Sequence, residues 1–530
     1  MKDKDFKRWL KRKIKVTLGV MISFLILGKL GYADPEQPKP TIEDLQKEIT
    51  KLKGTIEEQN KKLENAFKSK AIIEGEGANI GGNKTPTEKT EGIAIGQEAT
   101  IDAQGGNGGH YSLAIGRKAR IASNGEDFSS IALGDNANVL NGSGLQEWAL
   151  SFDSDNWKTK PSKDFKKRIL GIKDIDGIND RTRVPGGISI GTNTFARTGS
   201  IQIGSHTYSG LMGGIDVNDK TNGEANIVNM TTIGTNSYQK AAMGTMVGAY
   251  NISTGDFTGE GGINSLNYGG QNFGSSVFGS LNSIRSKGND GTSGVANSIF
   301  GIANVTENTN GSLVFGAGNV VKNSNQYLKL TNGLTNSFKN VDEAVDKFKE
   351  LIQKNNSGGS TLVIGGANKA NYTKKVTMLG VNNKIEGSKE KTSESQMIIG
   401  SDNKVSEASK EIVLGTNYTL NKDNNILLGF NEKENTVNVG NIVAIGNDIE
   451  AKTENSVYLG HGSKNSLPFA TIYGNQNAYE GILKDMHFSG ATDKGVFSIG
   501  SDGNERVLQN VAPGLIEDNS TDAINGSQLS

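Results

Sequence analysis

The chain has 530 residues, of which 70 are glycine, 34% are hydrophobic, 6% are aromatic and none is cysteine. So few bulky side chains exclude one large globular core and favour small repeated layers that bury apolar surface by stacking on one another. The absence of cysteine excludes disulfides, thiolate zinc sites and thiol nucleophiles. The 57 basic and 57 acidic residues balance over the whole chain.

The first 33 residues form a predicted secretory signal peptide. A basic stretch, residues 2–15, precedes an apolar run, residues 16–27, and the small residues of 31–33 supply a cleavage site before Asp34. A retained membrane anchor is the alternative, but the apolar run is short for a bilayer span and a polar, proline-containing stretch follows it. Cleavage removes nine basic and two acidic residues, which leaves 48 against 55 and a net charge of about −7. This acidic balance argues against nucleic acid as a partner.

A heptad pattern predicts a coiled coil over residues 41–69, where the outer positions are mostly Lys, Glu and Asn. Thr41 is the predicted cap of the first turn, with Asp44 three residues on. An amphipathic helix packed on the following domain is the alternative, and the heptads alone do not establish a trimer. The predicted core residues are Ile42, Leu45, Ile49, Leu52, Ile56 and Leu63, followed by the weaker positions Gln59 and Ala66.

One short unit recurs from residue 93 to residue 460: an apolar residue, any residue, an apolar residue, a glycine, and then Ala, Asn or Thr three residues later. Apolar residues two apart lie on one face of a short strand, and the glycine supplies a turn that a side chain would resist. In the closest stretches the glycines lie 13 to 15 residues apart, which is enough for one coil of two strands. The repeat glycines are Gly96, Gly116, Gly134, Gly191, Gly204, Gly365, Gly380, Gly400, Gly415, Gly429, Gly446 and Gly460, with further copies at Gly234, Gly279, Gly301 and Gly316.

The repeat predicts an all-β solenoid head over residues 71–472, in which coils stack into parallel ladders. Asparagines at the position three residues after the repeat glycine are predicted to form a side-chain ladder between coils. They are Asn282, Asn304, Asn319, Asn368, Asn383 and Asn403. Longer gaps between repeat glycines predict insertions at residues 143–184, 210–230, 253–276 and 324–355.

Two of these insertions have features of their own. Residues 143–184 contain Trp148 and Trp157, which are candidate partner-binding residues, with packing onto the roll as the alternative. The insertion at residues 324–355 has apolar residues at helical spacing, which predicts a short amphipathic helix packed against the roll. Its apolar residues are Val341, Val345, Phe348, Leu351 and Ile352.

The last region, residues 473–530, leaves the repeat. A β-like segment passes through the turn Pro513-Gly514 toward a predicted helix start capped by Thr521. The region contains N-E-R-V-L-Q-N-V-A-P-G from Asn504 and T-D-A-I-N-G-S-Q-L from Thr521. Together with the signal peptide and the repeats, these motifs resemble the trimeric autotransporter adhesins of type V secretion, with a YadA-like head and neck.

The resemblance covers residues 71–530 and implies a left-handed parallel β-roll in each chain, three rolls about a common axis, and a neck that leads to a stalk. Pro513 departs from the small residue that such necks commonly carry. Members normally continue into a coiled-coil stalk and a C-terminal β-barrel anchor, so we expect that this sequence is truncated or attached to the outer membrane in another way. The residues implied to hold neighbouring chains together are Arg506, Asn510, Val511, Ala512, Asp522 and Gln528.

The function implied is that of a bacterial cell-surface adhesin and virulence factor. Relatives of this architecture bind carcinoembryonic-antigen-related cell adhesion molecules, collagen, fibronectin or laminin, so a host surface protein or the extracellular matrix is the expected partner of the homotrimer. A structural spacer, or a protein of self-association in autoaggregation and biofilm, is the alternative.

An enzyme on a solenoid, such as a polysaccharide lyase or a hexapeptide acyltransferase, is not expected. Acyltransferase solenoids keep a strict six-residue period, unlike the spacing here. His110, His206, His461 and His487 are scattered and are predicted to be turn or loop residues. The glycine-rich residues 105–109 lack the lysine of a phosphate loop, and they predict a flexible loop. We therefore predict no catalytic, cofactor or metal site.

Overall fold

A computed structural model of the chain describes residues 42–69, 71–80, 92–104, 112–124, 128–141, 184–197, 199–209, 230–239, 244–254, 272–286, 294–324, 341–354, 361–465 and 495–529. The predicted signal peptide lies outside these residues. Helix α1 (Ile42–Ser69) belongs to one compact unit, and all the strands belong to a second. Among the described residues, no helix combines the length and apolar character needed to cross a bilayer.

The second unit contains helix α2 (Val341–Lys354) and a long series of short strands. The first fourteen strands are β1 (Ala71–Glu74), β2 (Asn79–Ile80), β3 (Gly92–Ile95), β4 (Thr100–Gln104), β5 (Leu113–Ile115), β6 (Arg120–Asn124), β7 (Phe128–Leu133), β8 (Asn138–Asn141), β9 (Val184–Thr192), β10 (Phe195–Arg197), β11 (Ile201–Ser209), β12 (Thr231–Gln239), β13 (Thr245–Ala249) and β14 (Ile252–Thr254). The remaining strands are β15 (Ser276–Ser280), β16 (Ser283–Arg285), β17 (Ser298–Ile302), β18 (Val305–Glu307), β19 (Leu313–Ala317), β20 (Val320–Lys322), β21 (Thr361–Gly366), β22 (Lys369–Asn371), β23 (Thr373–Val381), β24 (Lys384–Glu386), β25 (Ser393–Ser401), β26 (Lys404–Ser406), β27 (Ile412–Leu420), β28 (Ile426–Val437), β29 (Val443–Ile445), β30 (Val457–Leu459) and β31 (Phe497–Ser498).

These strands pair in parallel as two interleaved series, which confirms the predicted all-β, solenoid-like fold. The glycine series carries the repeat motif, and β21, β23, β25 and β27 are neighbours within it. The return series follows each motif, and β20, β22, β24 and β26 are neighbours within it. We call one strand of the glycine series together with the return strand that follows it, or one longer strand such as β11 that contains both portions, a rung. Each rung therefore hydrogen-bonds to the rungs before and after it in register.

The core lies between the two series and receives one side chain from the middle of each motif. In one rung, for example, Val314 of β19 and Val321 of β20 are both fully buried. The buried apolar residues form two main clusters along the roll. One runs from Ile80 to Ala196, and the other runs from Met246 to Tyr458. The thin core explains how a chain with few bulky residues buries apolar surface.

The two predicted helices are present. In α1, Leu52 and Ile56 are half-buried while their neighbours Lys51 and Lys53 are exposed, as the heptad pattern predicts. A coiled coil between chains stays a prediction. Helix α2 lies within the predicted insertion at residues 324–355; Val345 is 56% exposed, whereas Ile352 is half-buried. Packing of this helix against the roll stays a prediction.

Candidate functional site: the outer apolar face and the C-terminal segment

The repeat motif presents two apolar side chains on the outside of the roll. Val413 is fully buried, whereas Ile412 and Leu414 on either side of it are 39% and 40% exposed. The cause is the alternation of side chains along a strand, which sends the middle residue of the motif inward and its two neighbours outward. The sequence predicts that the two apolar residues share a face. The structure shows that this face points away from the core of its own chain.

The in-register pairing lines these outward residues up in two adjacent columns. Ile412, Ile426, Val443 and Val457, for example, pair in succession across neighbouring strands. Contiguous exposed apolar surface of this kind marks an interaction site. We call it the outer apolar face, and its residues are Ile93, Ile95, Leu113, Ile115, Ile131, Leu133, Ile188, Ile190, Ile201, Ile203, Ile233, Val247, Phe278, Phe300, Leu313, Phe315, Leu362, Ile364, Leu379, Met397, Ile399, Ile412, Leu414, Ile426, Leu428, Val443, Ile445, Val457 and Leu459.

Three phenylalanines stack along one column of the outer apolar face. The ring centroids of Phe278 and Phe300 are 5.0 Å apart, and those of Phe300 and Phe315 are 4.6 Å apart. Their planes are tilted by only 6° and 4°. Identical side chains at identical register positions stack because each parallel strand repeats the backbone of the strand before it. The stack makes this part of the face flat and rigid.

The repeat glycines stand where the chain turns the first corner of each rung. A Cβ on Gly204 would lie 1.7 Å from the carbonyl oxygen of Gly234, so no other residue fits. Twelve repeat glycines were named first in the sequence analysis, and Gly429 is one of them. In the other eleven, φ is between +95° and +155°, a region that residues with side chains disfavour. Gly429 lacks this φ, but a Cβ there would lie 2.0 Å from the carbonyl oxygen of Gly446. These glycines are therefore required by the backbone of the roll.

The predicted asparagine ladder is confirmed and begins one rung earlier, at Asn251. Asn304 Nδ2 donates to Oδ1 of Asn282 at 3.1 Å and to the carbonyl oxygen of Gly316 at 2.7 Å. The same pattern repeats rung by rung as far as Asn403. Buried amides are stable only when they are hydrogen-bonded, and the ladder satisfies each amide with the next.

We call residues 504–529 the C-terminal segment, and Arg506 holds this segment to the last rungs of its own chain. Its guanidinium donates to the carbonyl oxygen of His461 at 2.7 Å and to that of Ile499 at 2.5 Å. It lies directly over Gly460, where a Cβ would approach the guanidinium carbon to 2.8 Å. The contact of Arg506 with neighbouring chains, which the family resemblance implies, stays a prediction.

The other predicted neck residues lie in an extended segment that folds back on itself. The Asp522 carboxylate accepts a hydrogen bond from the backbone of Leu515 at 3.1 Å. Gln528 accepts from the Gly514 N–H at 2.9 Å and donates to the Gly514 carbonyl oxygen at 2.7 Å. Asn510 has φ of +62°, Val511 is half-buried, and Ala512 is exposed.

The predicted helix start at Thr521 is wrong. The structure has one turn of 3-10 helix, Gly526–Gln528, and Asn525 is its cap residue. The Asn525 side chain instead donates to the carbonyl oxygen of Val511 at 3.0 Å, which brings the end of the segment back to its beginning. Several large apolar side chains of the segment are exposed: Val507, Leu508, Leu515, Ile516, Ile524 and Leu529.

The remaining predicted site residues are dispersed. Trp148 and Trp157 lie outside the described residues. Of the core positions of the predicted coiled coil, Ile42, Leu45, Ile49 and Leu63 lie in α1 with Leu52 and Ile56. His206 Nδ1 shares a hydrogen bond with the Ser205 hydroxyl at a corner of the roll, and His461 is exposed. Within the ranges that the structure describes, no three His, Asp or Glu side chains come together as metal ligands. Comparison with models of protein families and with curated proteins found no match for this chain.

Proposed function

We propose that this chain is an exported bacterial adhesin, displayed at the cell surface, whose head is a homotrimer of left-handed parallel β-rolls. The observation that carries the proposal is the outer apolar face. It is a two-column surface, apolar in most rungs, that its own chain leaves open to water. A surface built this way in rung after rung favours a second copy of the same chain as its partner, because in-register copies present matching columns.

Three chains are favoured over two by the resemblance to trimeric autotransporter adhesins and by the form of the face. Two adjacent columns allow each chain to contact one neighbour on either side of a common axis. A closed ring of this kind leaves no column exposed. An isolated chain would keep side chains such as Ile412, Leu414 and Ile445 in water.

The C-terminal segment supports the same assembly. Val507 is 84% exposed, and Ile516 and Leu529 are also largely exposed, although their chain is folded back and hydrogen-bonded. Apolar residues on an ordered but open segment favour burial against neighbouring chains. We propose that this segment is the neck of the trimer and that it leads to a stalk.

The proposed activity is attachment to host cell-surface proteins, with carcinoembryonic-antigen-related cell adhesion molecules as candidates, or to collagen, fibronectin or laminin of the extracellular matrix. Three copies of a weak site raise avidity without new contacts. The residues repeated in every rung have structural roles, so the proposed role is binding and not catalysis. Trp148 and Trp157 are the proposed anchors on an insertion.

Oligomeric state tests the assembly. The chain from Asp34 onward is expected to show three times the monomer mass in light scattering, and a monomer would contradict the proposal. Ile412→Asp with Leu414→Asp places two charges on the outer apolar face and is expected to lower the mass or cause aggregation. Lys369→Asp, an exposed position of the return series, is the matched control and is expected to leave the mass unchanged. Circular dichroism confirms that each variant keeps its β structure.

Binding assays separate the adhesin from its alternative, a structural spacer or self-association protein. The purified trimer is applied to immobilised cell adhesion molecules, collagen, fibronectin and laminin. An adhesin shows saturable binding to one of them, and Trp148→Ala with Trp157→Ala weakens it. A spacer or autoaggregation protein shows no such binding, whereas bacteria that display it agglutinate with one another.

A further inference from the structure

The core of the roll changes from apolar to polar between its two apolar clusters. Six fully buried inward side chains in this stretch are Ser, Thr or Gln, and they belong to the successive rungs from β9 to β14. They are Ser189, Gln202, Ser209, Thr232, Gln239 and Ser253. The positions are equivalent to those of Val314 and Val321 farther along the roll. We call residues 184–254 the polar segment; it also contains Ala196, where the first apolar cluster ends, and Met246, where the second begins.

Hydrogen bonds satisfy only part of this polar core. Gln202 Nε2 donates to the Thr232 hydroxyl at 3.1 Å, and that hydroxyl donates to Gln239 Oε1 at 2.7 Å. Gln202 Oε1 and the Thr207 hydroxyl are buried with no hydrogen-bond partner among the described residues. A buried polar group without a partner destabilises the fold around it. Unsatisfied buried groups also occur farther along the roll, for example at the Thr306 hydroxyl, so the scarcity of apolar side chains in the core is what distinguishes the polar segment.

The outward face of the glycine series is less apolar in the polar segment and just beyond it. Thr231 and Thr245 of the polar segment occupy successive positions of one outward column, and Ser276 and Ser298 continue it beyond the segment. Ile201 precedes these four positions in the column and Leu313 follows them. Hydroxyl side chains at these positions contribute less to burial against any partner than aliphatic ones. Polar residues therefore lie on both sides of β12, at Thr231 and Thr232, whereas the inward residue of β13 is Met246.

Long connections also leave the roll here. The chain runs from β8 at Asn141 to β9 at Val184, from β11 at Ser209 to β12 at Thr231, and from β14 at Thr254 to β15 at Ser276. Farther along the roll, one long connection runs from β20 at Lys322 to β21 at Thr361, and beyond it the strands follow one another closely, with only Tyr372 between β22 and β23. Closing a longer connection costs more chain entropy. This adds to the weaker core packing of the polar segment.

We infer that the polar segment is a local opening unit that divides the roll into two independently cooperative apolar blocks. In stacked repeats, stability is the sum of the stability of each repeat and of its contacts with its neighbours, so a weak run of rungs separates the units on either side. The polar segment opens while β15 to β30 stay closed. The roll thereby has a compliant region at a defined place along its length.

Hydrogen exchange measured by mass spectrometry on the full chain tests this inference. Peptides from residues 188–209 and 231–254 are expected to exchange at least about tenfold faster than peptides from residues 298–321 and 361–420. Low concentrations of guanidinium are expected to leave the fast exchange unchanged and to accelerate the slow exchange. Equal rates and equal denaturant dependence along the roll would overturn the inference, because they show one cooperative unit.

A matched pair of variants sharpens the test. Thr207→Val and Thr306→Val each remove a buried hydroxyl that has no hydrogen-bond partner among the described residues, but only Thr207 lies in the polar segment. Thr207→Val is expected to slow exchange in residues 188–254 by about threefold or more and to leave residues 298–321 unchanged. Thr306→Val is expected to slow hydrogen exchange only in the block that contains it, which peptides from residues 298–321 report. If either variant slows both blocks equally, the inference is wrong. The exchange profile of the unmodified chain stands as a test even if a variant does not fold.

Discussion

Asn383 Nδ2 donates to Oδ1 of Asn368 at 3.0 Å, and the backbone N–H of Asn383 donates to the same oxygen at 3.0 Å. The same Nδ2 also donates to the carbonyl oxygen of Gly400 at 2.7 Å. In the next rung, Asn403 donates to Asn383 Oδ1 at 2.9 Å. The side-chain amide of Asn383 is therefore hydrogen-bonded through all its donors and acceptors, although it is buried.

Asn383→Ala is expected to lower the free energy of unfolding by about 1–3 kcal/mol, because it leaves buried partners unsatisfied in the rungs before and after it. The measurement is thermal or urea unfolding followed by circular dichroism. Asn421→Ala, at an exposed asparagine that pairs with Asn438, is the control and is expected to change stability by less than about 0.5 kcal/mol. Equal effects of the two substitutions would show that the ladder adds no stability.

Gly400→Ala is expected to disrupt the roll. A Cβ at this position would lie 1.8 Å from the carbonyl oxygen of Gly415, and that oxygen accepts a hydrogen bond from Asn403 Nδ2 at 2.8 Å. The control is Gly462→Ala, where φ is +65° but a Cβ meets open space, so only the backbone preference of about 1–2 kcal/mol is lost. Yield of soluble protein and the melting temperature are measured. Similar melting of the two variants would show that the close approach of the glycines is not required.

Glu411 makes the stability of the roll depend on pH. Burial raises the pKa of this carboxyl from 4.5 to about 8, and the neighbouring Asn425 amide groups offset the rise only in part. The unfolded chain therefore loses this proton near pH 4.5, whereas the folded chain keeps it until about pH 8. The free energy of unfolding is therefore unaffected by this residue below about pH 4.5. It falls as the pH rises from 4.5 to 8, and it changes no further with this residue above pH 8.

Glu411→Gln removes the titrating group and keeps the shape of the side chain. We expect the variant to melt at a higher temperature than the parent at pH 8 and at nearly the same temperature at pH 4. Glu390→Gln changes an exposed carboxyl nearby and is expected to shift neither value. A difference in melting temperature that is the same at pH 4 and pH 8 would contradict the prediction.

Arg506→Ala is expected to release the C-terminal segment without unfolding the roll. It removes the charge-assisted hydrogen bonds to the carbonyl oxygens of His461 and Ile499. Chymotrypsin, which cleaves after Leu508, is expected to digest the Arg506→Ala variant several times faster than the parent. The melting temperatures of the two proteins are expected to be the same. Lys452→Ala, at an exposed residue that pairs with Glu450, is the control. Unchanged digestion of the Arg506 variant would mean that other contacts hold the segment.

Much of the fold is predictable because it depends on short-range rules applied many times. The glycine positions require a backbone that side chains disfavour, and the spacing of the motif sets the length of a strand and its turn. The column of asparagines follows from the same period. Helix α2 follows from the spacing of Val341, Val345 and Phe348. Each of these features is determined by residues close together in the chain.

Contacts between distant parts of the chain were not predictable in this way. The partners of Arg506 lie in the last rungs, and the motif around Asn504 does not specify them. Asn525 and not Thr521 begins the 3-10 turn, because the Asn525 side chain reaches back to Val511. Both cases depend on how the segment folds back, which neighbouring residues do not encode.

The amino-acid sequence by itself determined the repeat, the solenoid class and the shared face of the two apolar residues in each motif. Only the tertiary structure decided which side of the strand faces the core. Alternation along a strand separates two faces but labels neither, and the direction in which the chain turns at each glycine selects the inner one. That choice makes Ile412 and Leu414 an outer surface, and it makes Gln202 and Thr232 a polar core.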